Sequence, residues 1–349
     1  MLSVQGGFSS IYVYGDSVST TTSNTFGGVY YHGNRECNGR VWIEVLAQRQ
    51  GMAYQESNNL SYYGHYTTNM LAEVSSFSAP PDASNSLFII WVINADLVDD
   101  IALFPMDNSG LAQWTNALNV SLTNHQMTIT NLYGKGFRSF MLPTAVDVMA
   151  IPLYSGADPT LKSFVRQRVI EFNTKLGNLM TTLKDSLPGT VFYSPDFFAL
   201  LDNFQSNAPL YGLTNALTLS DYGLHTADAI FYCPGAATNG PGTNWIFWDY
   251  QSPSAKAHVV MADVANQLLS PTAIRQVTRL TGSNRLDVVN MPLGLPGYVY
   301  GGTNLTNFAG WTSLTNFSSL TATQAVFVPP ATDDLQFYRL TFTNSWSWP

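Results

Sequence analysis

Gly15-Asp16-Ser17 places a hydroxyl directly after a short apolar run, Ile11 to Tyr14. An ester hydrolase needs such a hydroxyl at a strand end. It also needs nearby N–H groups to hold the charge that develops on the carbonyl oxygen. Glycine permits a tight approach, and a helix beginning after the serine adds its positive end. Alone, the tripeptide is an ordinary turn, and a helix-capping serine is its plainer meaning. No Gly-rich phosphate loop, zinc-type His-Glu-x-x-His or nucleotide fingerprint occurs, so no metal or cofactor is expected. Cys37 and Cys233 lack metal-ligand spacing; they form one disulfide in an oxidising compartment or serve as two small core residues.

The elements that must position Ser17 follow from periodicity. Ser10 to Tyr14 reads as a strand, Val41 to Gln50 as a helix with Trp42, Val45 and Leu46 on one face, and Ser86 to Val92 as a buried strand. Leu111 to Tyr133 and Pro159 to Leu187 read as long helices. Ser139 to Pro143 and Thr190 to Tyr193 read as strands, and Ala255 to Leu269 as a closing helix. Strands alternating with helices predict an α/β fold, a three-layer sandwich around a parallel sheet, with chemistry outside the strands' carboxyl ends. From about Pro271 the pattern changes to short alternating runs, such as Leu286 to Val289, Tyr298 to Tyr300, Ala325 to Val328 and Gln336 to Phe342. The expected organisation is a hydrolase-like domain over residues 1–270 and a small sandwich-like all-β module over 271–349. The tail Trp346-Ser347-Trp348-Pro349 either caps that module or docks elsewhere.

The 349 residues carry 45% hydrophobic and only 11% charged side chains, against roughly 25% charged in an average soluble protein. The polar surface must therefore come from Asn, Ser, Thr, Gln and Tyr, which suits a secreted or periplasmic protein handling neutral ligands. The net charge of −8, with no basic run, argues against a nucleic-acid partner. No apolar stretch reaches the roughly 20 residues of a membrane span. Residues 1–5 lack a signal peptide's pattern. Oligomeric state is not readable.

Four segments together raise the status of Ser17. Ile11 to Ser19 resembles the first block of the GDSL (SGNH) family of serine esterases and lipases. Asn38-Gly39-Arg40-Val41-Trp42-Ile43-Glu44-Val45-Leu46-Ala47 is similar to the "NGRVWVEYLA" segment of its plant-like branch. Asn59-Leu60-Ser61-Tyr62-Tyr63-Gly64 is similar to the second block, "N-x-A-x-G-G". Phe247-Trp248-Asp249 through His258 resembles the fifth, "FWDxxHPTxxAH". The resemblance spans residues 11 to 258 and implies Ser17 as nucleophile, Asp249 as orienting acid, and Ser17 and Gly64 N–H groups as oxyanion donors.

Two departures stand out. The third block's Gly-x-Asn-Asp becomes Ile93-Asn94-Ala95-Asp96, so Asn94 is one residue early as an oxyanion donor. At a strand end that shift turns the side chain over unless a bulge restores it. Otherwise Asn94 makes a local turn, or Asp96 caps a helix. The family's catalytic histidine, three residues after the aspartate, is Ser252 here. A serine hydroxyl has no proton affinity near neutral pH and cannot act as the base. His65, next to Gly64, is the best candidate substitute. His225 is a second, and His258, His125 and His32 fit packing or surface roles. Ser252 also fits a helix N-cap, with Pro253 in the first turn. The expectation is a secreted carboxylic-ester hydrolase with a displaced or missing base. The alternative is a non-catalytic ligand- or carbohydrate-binding protein on the same fold.

Overall fold

The computed structural model describes residues 7–21, 32–213, 245–291, 296–306, 308–330 and 336–342. His225, Cys233 and the aromatic tail lie outside them.

The site is built on a four-stranded parallel sheet of order β1-β2-β3-β4. Its strands are β1 (Ile11–Gly15), β2 (Leu87–Trp91), β3 (Ser139–Met141) and β4 (Val191–Tyr193). The register pairs Ile11 with Leu87, Gly15 with Trp91, Leu87 with Ser139 and Ser139 with Val191. All carboxyl ends therefore open on one edge. Every residue of β2 is buried, as a strand covered on both faces requires. The segment Asn59 to Tyr62 runs along the outer side of β1. The Leu60 N–H donates to the Val13 carbonyl at 2.9 Å and the Tyr62 N–H to the Gly15 carbonyl at 3.3 Å. This pairing brings Gly64 to the same edge as Ser17.

Seven helices are described: α1 (Trp42–Arg49), α2 (Thr67–Ser76), α3 (Asn94–Leu103), α4 (Leu111–Gly134), α5 (Pro159–Ser186), α6 (Phe197–Asn207) and α7 (Ala255–Leu269). Helices α2, α3 and α6 were not expected from periodicity. They are short, and two of them follow directly on the sheet edge. Helix α1 is tied to α7, which lies more than 200 residues later in the chain. The Arg49 guanidinium meets Asp263 at 2.7 Å, and the Trp42 N–H donates to His258 Nδ1 at 3.2 Å. His258 thus satisfies a helix-start donor that otherwise lacks an intrahelical partner. Helix α7 begins at Ala255 rather than at Ser252. Its N-cap is Ser254, whose hydroxyl accepts from the Ala257 N–H at 3.2 Å.

Two antiparallel three-stranded sheets follow. One has β5 (Ala273–Leu280), β6 (Ser283–Val289) and β9 (Thr323–Val328). The other has β10 (Phe337–Phe342), β7 (Pro296–Gly302) and β8 (Thr312–Ser318). They enclose a separate apolar cluster around Leu286, Val288, Val299, Val326 and Val328. The α/β fold with C-terminal β sheets is as the periodicities indicated.

The large core under the carboxyl edge of the sheet depends on β2. Ile89→Ala, at a fully buried position, is expected to cost about 2–5 kcal/mol of unfolding free energy, read from urea denaturation of the whole chain.

Candidate active site

The chain reaches Ser17 through a glycine that nothing else can replace. A Cβ on Gly15 would sit 2.7 Å from Ser61 Oγ and 2.8 Å from Ser19 Cβ. Beyond it Asp16 is buried, and its carboxylate accepts from the Val18 N–H at 3.1 Å, closing a single turn of 3-10 helix over Ser17–Ser19. The turn is held from outside as well. Trp42 Nε1 donates to Ser19 Oγ at 3.0 Å, and Asn59 Nδ2 to the Ser19 carbonyl at 2.8 Å.

Ser17 opens into a cleft of about 320 Å³ that Gly64 and Asn94 also line, with Val98, Val146 and Ile151 as its apolar side. Gly64 has φ +68, in the left-handed region that favours glycine. Asn94 reaches the cleft without a bulge, because it is the first residue of α3. Its Nδ2 donates to Asp16 Oδ2 at 2.9 Å, and its Oδ1 accepts from the Val146 N–H at 3.3 Å. A primary amide has two N–H donors, so one remains for a ligand. Asp96, two residues along, accepts from the N–H and the hydroxyl of Thr67 at 3.0 and 2.8 Å and so holds the start of α2.

Asp249 is buried, and its Oδ1 accepts from the N–H groups of Gln251 and Ser252 at 2.8 and 2.6 Å. Ser252 is buried too, and its carbonyl accepts from the Trp248 N–H at 2.8 Å. The turn that carries Asp249 and Ser252 is thus fixed by hydrogen bonds within itself.

His65, expected to stand in for the missing base, has its ring enclosed. It is fully buried behind β1, stacked on Tyr62 at 4.1 Å, and is not among the residues lining the cleft. Its Nδ1 lies 2.9 Å from the Gly15 carbonyl, which makes that nitrogen the N–H donor. Nε2 points toward Glu73, 3.5 Å away. Burial pulls its pKa down to about 4. His65 therefore struts the end of β1 through the Gly15 carbonyl. His125 is likewise buried, with Nδ1 2.8 Å from the Ser121 carbonyl, and is not a surface residue.

Sequence reasoning missed Glu36. Beside Arg35 it reads as half of a surface charge pair, yet it is only 3% exposed, and Oε1 has no hydrogen-bond partner among the described residues. Arg35 is engaged elsewhere, forming a two-pronged pair with Glu44 at 2.7 and 2.5 Å. Burial, with the charges of Asp249 and Asp16, pushes the Glu36 carboxyl up to about 8. Asp16 is raised to about 6, chiefly by burial. No group of three or more His, Cys, Asp or Glu side chains among the described residues is placed to hold a metal ion. Cys37 is buried and its thiol lies 3.0 Å from the Gly39 carbonyl.

The model of the GDSL-like lipase/acylhydrolase family matches residues 11–265. A GDSL esterase/lipase of Arabidopsis thaliana is 27% identical over 187 residues, covering 52% of this chain and 48% of that protein. A second from the same plant is 26% identical over 222 residues, covering 61% of each. The chain thus spans about half to three-fifths of the length of these curated relatives. Among solved structures, a lipase from a goat rumen metagenome is 10% identical, with a TM-score of 0.43, covering 73% of this chain and 94% of that one. An acetylxylan esterase from Geobacillus stearothermophilus is 12% identical, with a TM-score of 0.38, covering 74% and 93%.

The Glu36 carboxyl is bound to its proton more tightly in the folded chain than in the unfolded one. Its stability contribution is therefore full below about pH 4.5, the ordinary glutamate value, and is lost as pH rises through about 8. The melting temperature of Glu36→Gln relative to the parent should climb between pH 5 and pH 8 and then level. A pH-independent difference would show that the carboxyl is not held neutral by burial.

Proposed function

Because the chain belongs to the GDSL-like lipase/acylhydrolase family, we propose that it hydrolyses carboxylic esters through an acyl-enzyme on Ser17. The observation that carries this reading is the placement of Ser17, Gly64 and Asn94 around one cleft at the carboxyl edge of the parallel sheet. Ser17 Oγ attacks the acyl carbon. The Ser17 and Gly64 N–H groups and the second Asn94 amide hydrogen hold the oxyanion. Such donors each contribute on the order of a hundredfold or more in rate. Asp249 sits where the family's orienting acid lies, and Ser252 where its base lies. The low charge content supports an extracytoplasmic setting. Among the described residues no helix is long and apolar enough to cross a membrane.

The acyl group has a natural direction. A second, almost wholly apolar pocket shares Val18, Val146, Ile151 and Gln251 with the cleft and continues toward Trp91, Phe197 and Phe204. It favours an aliphatic acyl chain over a charged one. Ile151→Trp, which fills the shared wall, should depress hydrolysis of p-nitrophenyl butyrate and hexanoate far more than of the acetate. Equal losses across the series would rule the pocket out.

Ser252 favours one competing reading, a binding protein that kept the pocket and lost turnover. Labelling with a fluorophosphonate, followed by peptide mapping, separates the two. We expect an adduct on Ser17, none in Ser17→Ala, and a rate gain of at least tenfold on p-nitrophenyl acetate in Ser252→His. Absence of both labelling and hydrolysis, with no gain in Ser252→His, would sink the esterase reading.

A further inference from the structure

We propose that the Ser17 cleft takes esters whose alcohol part carries a quaternary ammonium group, held by Asp99 with the rings of Tyr63, Tyr66 and Tyr154. The inference rests on the esterase reading above and names the substrate class of that same site. The acyl chain and the alcohol leave the reacting carbon in different directions. The apolar pocket beyond Val18, Val146 and Ile151 takes the acyl chain. Tyr63, Tyr66, Asp99 and Tyr154 line the cleft and are not shared with that pocket, so they border the room left for the alcohol.

Three segments of the chain bring these side chains together. On α3, Ala95, Val98, Asp99 and Ala102 recur at the spacing of one helix face, and all four line the cleft. The two alanines, about one turn before and after Asp99, keep the space around its carboxylate open. Asp99 stands about 7.5 Å along the helix axis from Asn94, by the ordinary rise of an α-helix. A choline-type ester, with two methylenes between oxygen and nitrogen, covers such a span. Thr67, bonded to Asp96 through its N–H and its hydroxyl, ties the segment carrying Tyr63 and Tyr66 to the neighbouring turn of the same helix. Tyr154 joins from the segment after β3.

Charge then decides what fits. The Asp99 side chain is exposed, and its carboxylate makes no hydrogen bond or ion pair among the described residues. All 15 Lys and Arg residues of the chain are among the described residues, and none of them lines the cleft. The protein thus sets a carboxylate beside three tyrosines and supplies no cation of its own to neutralise it. Tyrosine rings attract a cation over their faces, and a carboxylate beside them adds to that attraction. A quaternary ammonium suits such a place, because it has no N–H to satisfy and enters aromatic surroundings readily. The same arrangement repels a phosphate or carboxylate on the alcohol.

The test compares butyrylcholine with its neutral isostere, in which a tert-butyl group replaces the trimethylammonium. Hydrolysis of p-nitrophenyl butyrate reports the esterase step by itself. Values of kcat/KM are measured on the full chain at low and high sodium chloride, for the parent, Asp99→Asn, Asp99→Glu and Tyr66→Leu. The parent should favour butyrylcholine by at least tenfold at low salt, and the preference should shrink as salt rises. Asp99→Asn should cut that ratio at least fivefold, Tyr66→Leu should lower it severalfold, and Asp99→Glu should keep most of it. The two esters share their acyl group and their shape. A general loss of folding or catalysis therefore moves both rates and leaves the ratio alone. The inference is overturned if the parent hydrolyses the two esters equally or prefers the neutral one. It is also overturned if the parent hydrolyses p-nitrophenyl butyrate but neither of them, or if Asp99→Asn or Tyr66→Leu keeps the full preference. A parent that hydrolyses none of the three overturns the esterase reading itself, and this inference with it.

Discussion

The hydrogen bond between the Asp16 carboxylate and the Asn94 amide, 2.9 Å long, joins the end of β1 to the start of α3. The rest of the site depends on it. Asp16 also accepts from the Val18 N–H, so the same side chain shapes the turn that presents Ser17. Asn94 passes the constraint onward through its contact with the Val146 N–H, in the segment after β3. Successive strands of the sheet are thereby linked across their carboxyl edge. Both partners are buried, so water does not compete for the bond.

This edge is supported from behind by groups with no part in chemistry. His65 and the Tyr62 N–H both hold the Gly15 carbonyl. Trp42 holds Ser19, and His258 holds the Trp42 N–H. Two of the five histidines are thus struts. Burial keeps them neutral, with pKa values of about 4 and about 3. The carboxyls are treated in the opposite way. Asp16 and Glu36 are enclosed and hold their protons more tightly than usual.

Much of this was legible in the sequence, because periodicity reports burial. The runs Ile11 to Tyr14 and Leu87 to Trp91 could hardly be anything but strands, and the long helices showed their apolar faces. Gly15, Ser17 and Gly64 stood out in the sequence through the segments that resemble the family's blocks. Other features did not. Asn94 seemed out of register because it was taken to lie at a strand end, whereas β2 ends at Trp91 and Asn94 is the first residue of a helix. His65 seemed adjacent to the site because sequence neighbours were taken for spatial ones, yet Gly64 lines the cleft while the His65 ring is buried against Tyr62 and the Gly15 carbonyl. Glu36 carried no sequence signal at all. Only three-dimensional burial distinguishes it from a surface glutamate.

The most direct test of the account is to catch the acyl-enzyme. The chain is acid-quenched during turnover of p-nitrophenyl acetate, digested and analysed by mass spectrometry. The account predicts an acetyl group on Ser17 and on no other residue, at a level that falls as substrate is exhausted. Release of p-nitrophenol with no acetyl on Ser17 at any time would contradict it.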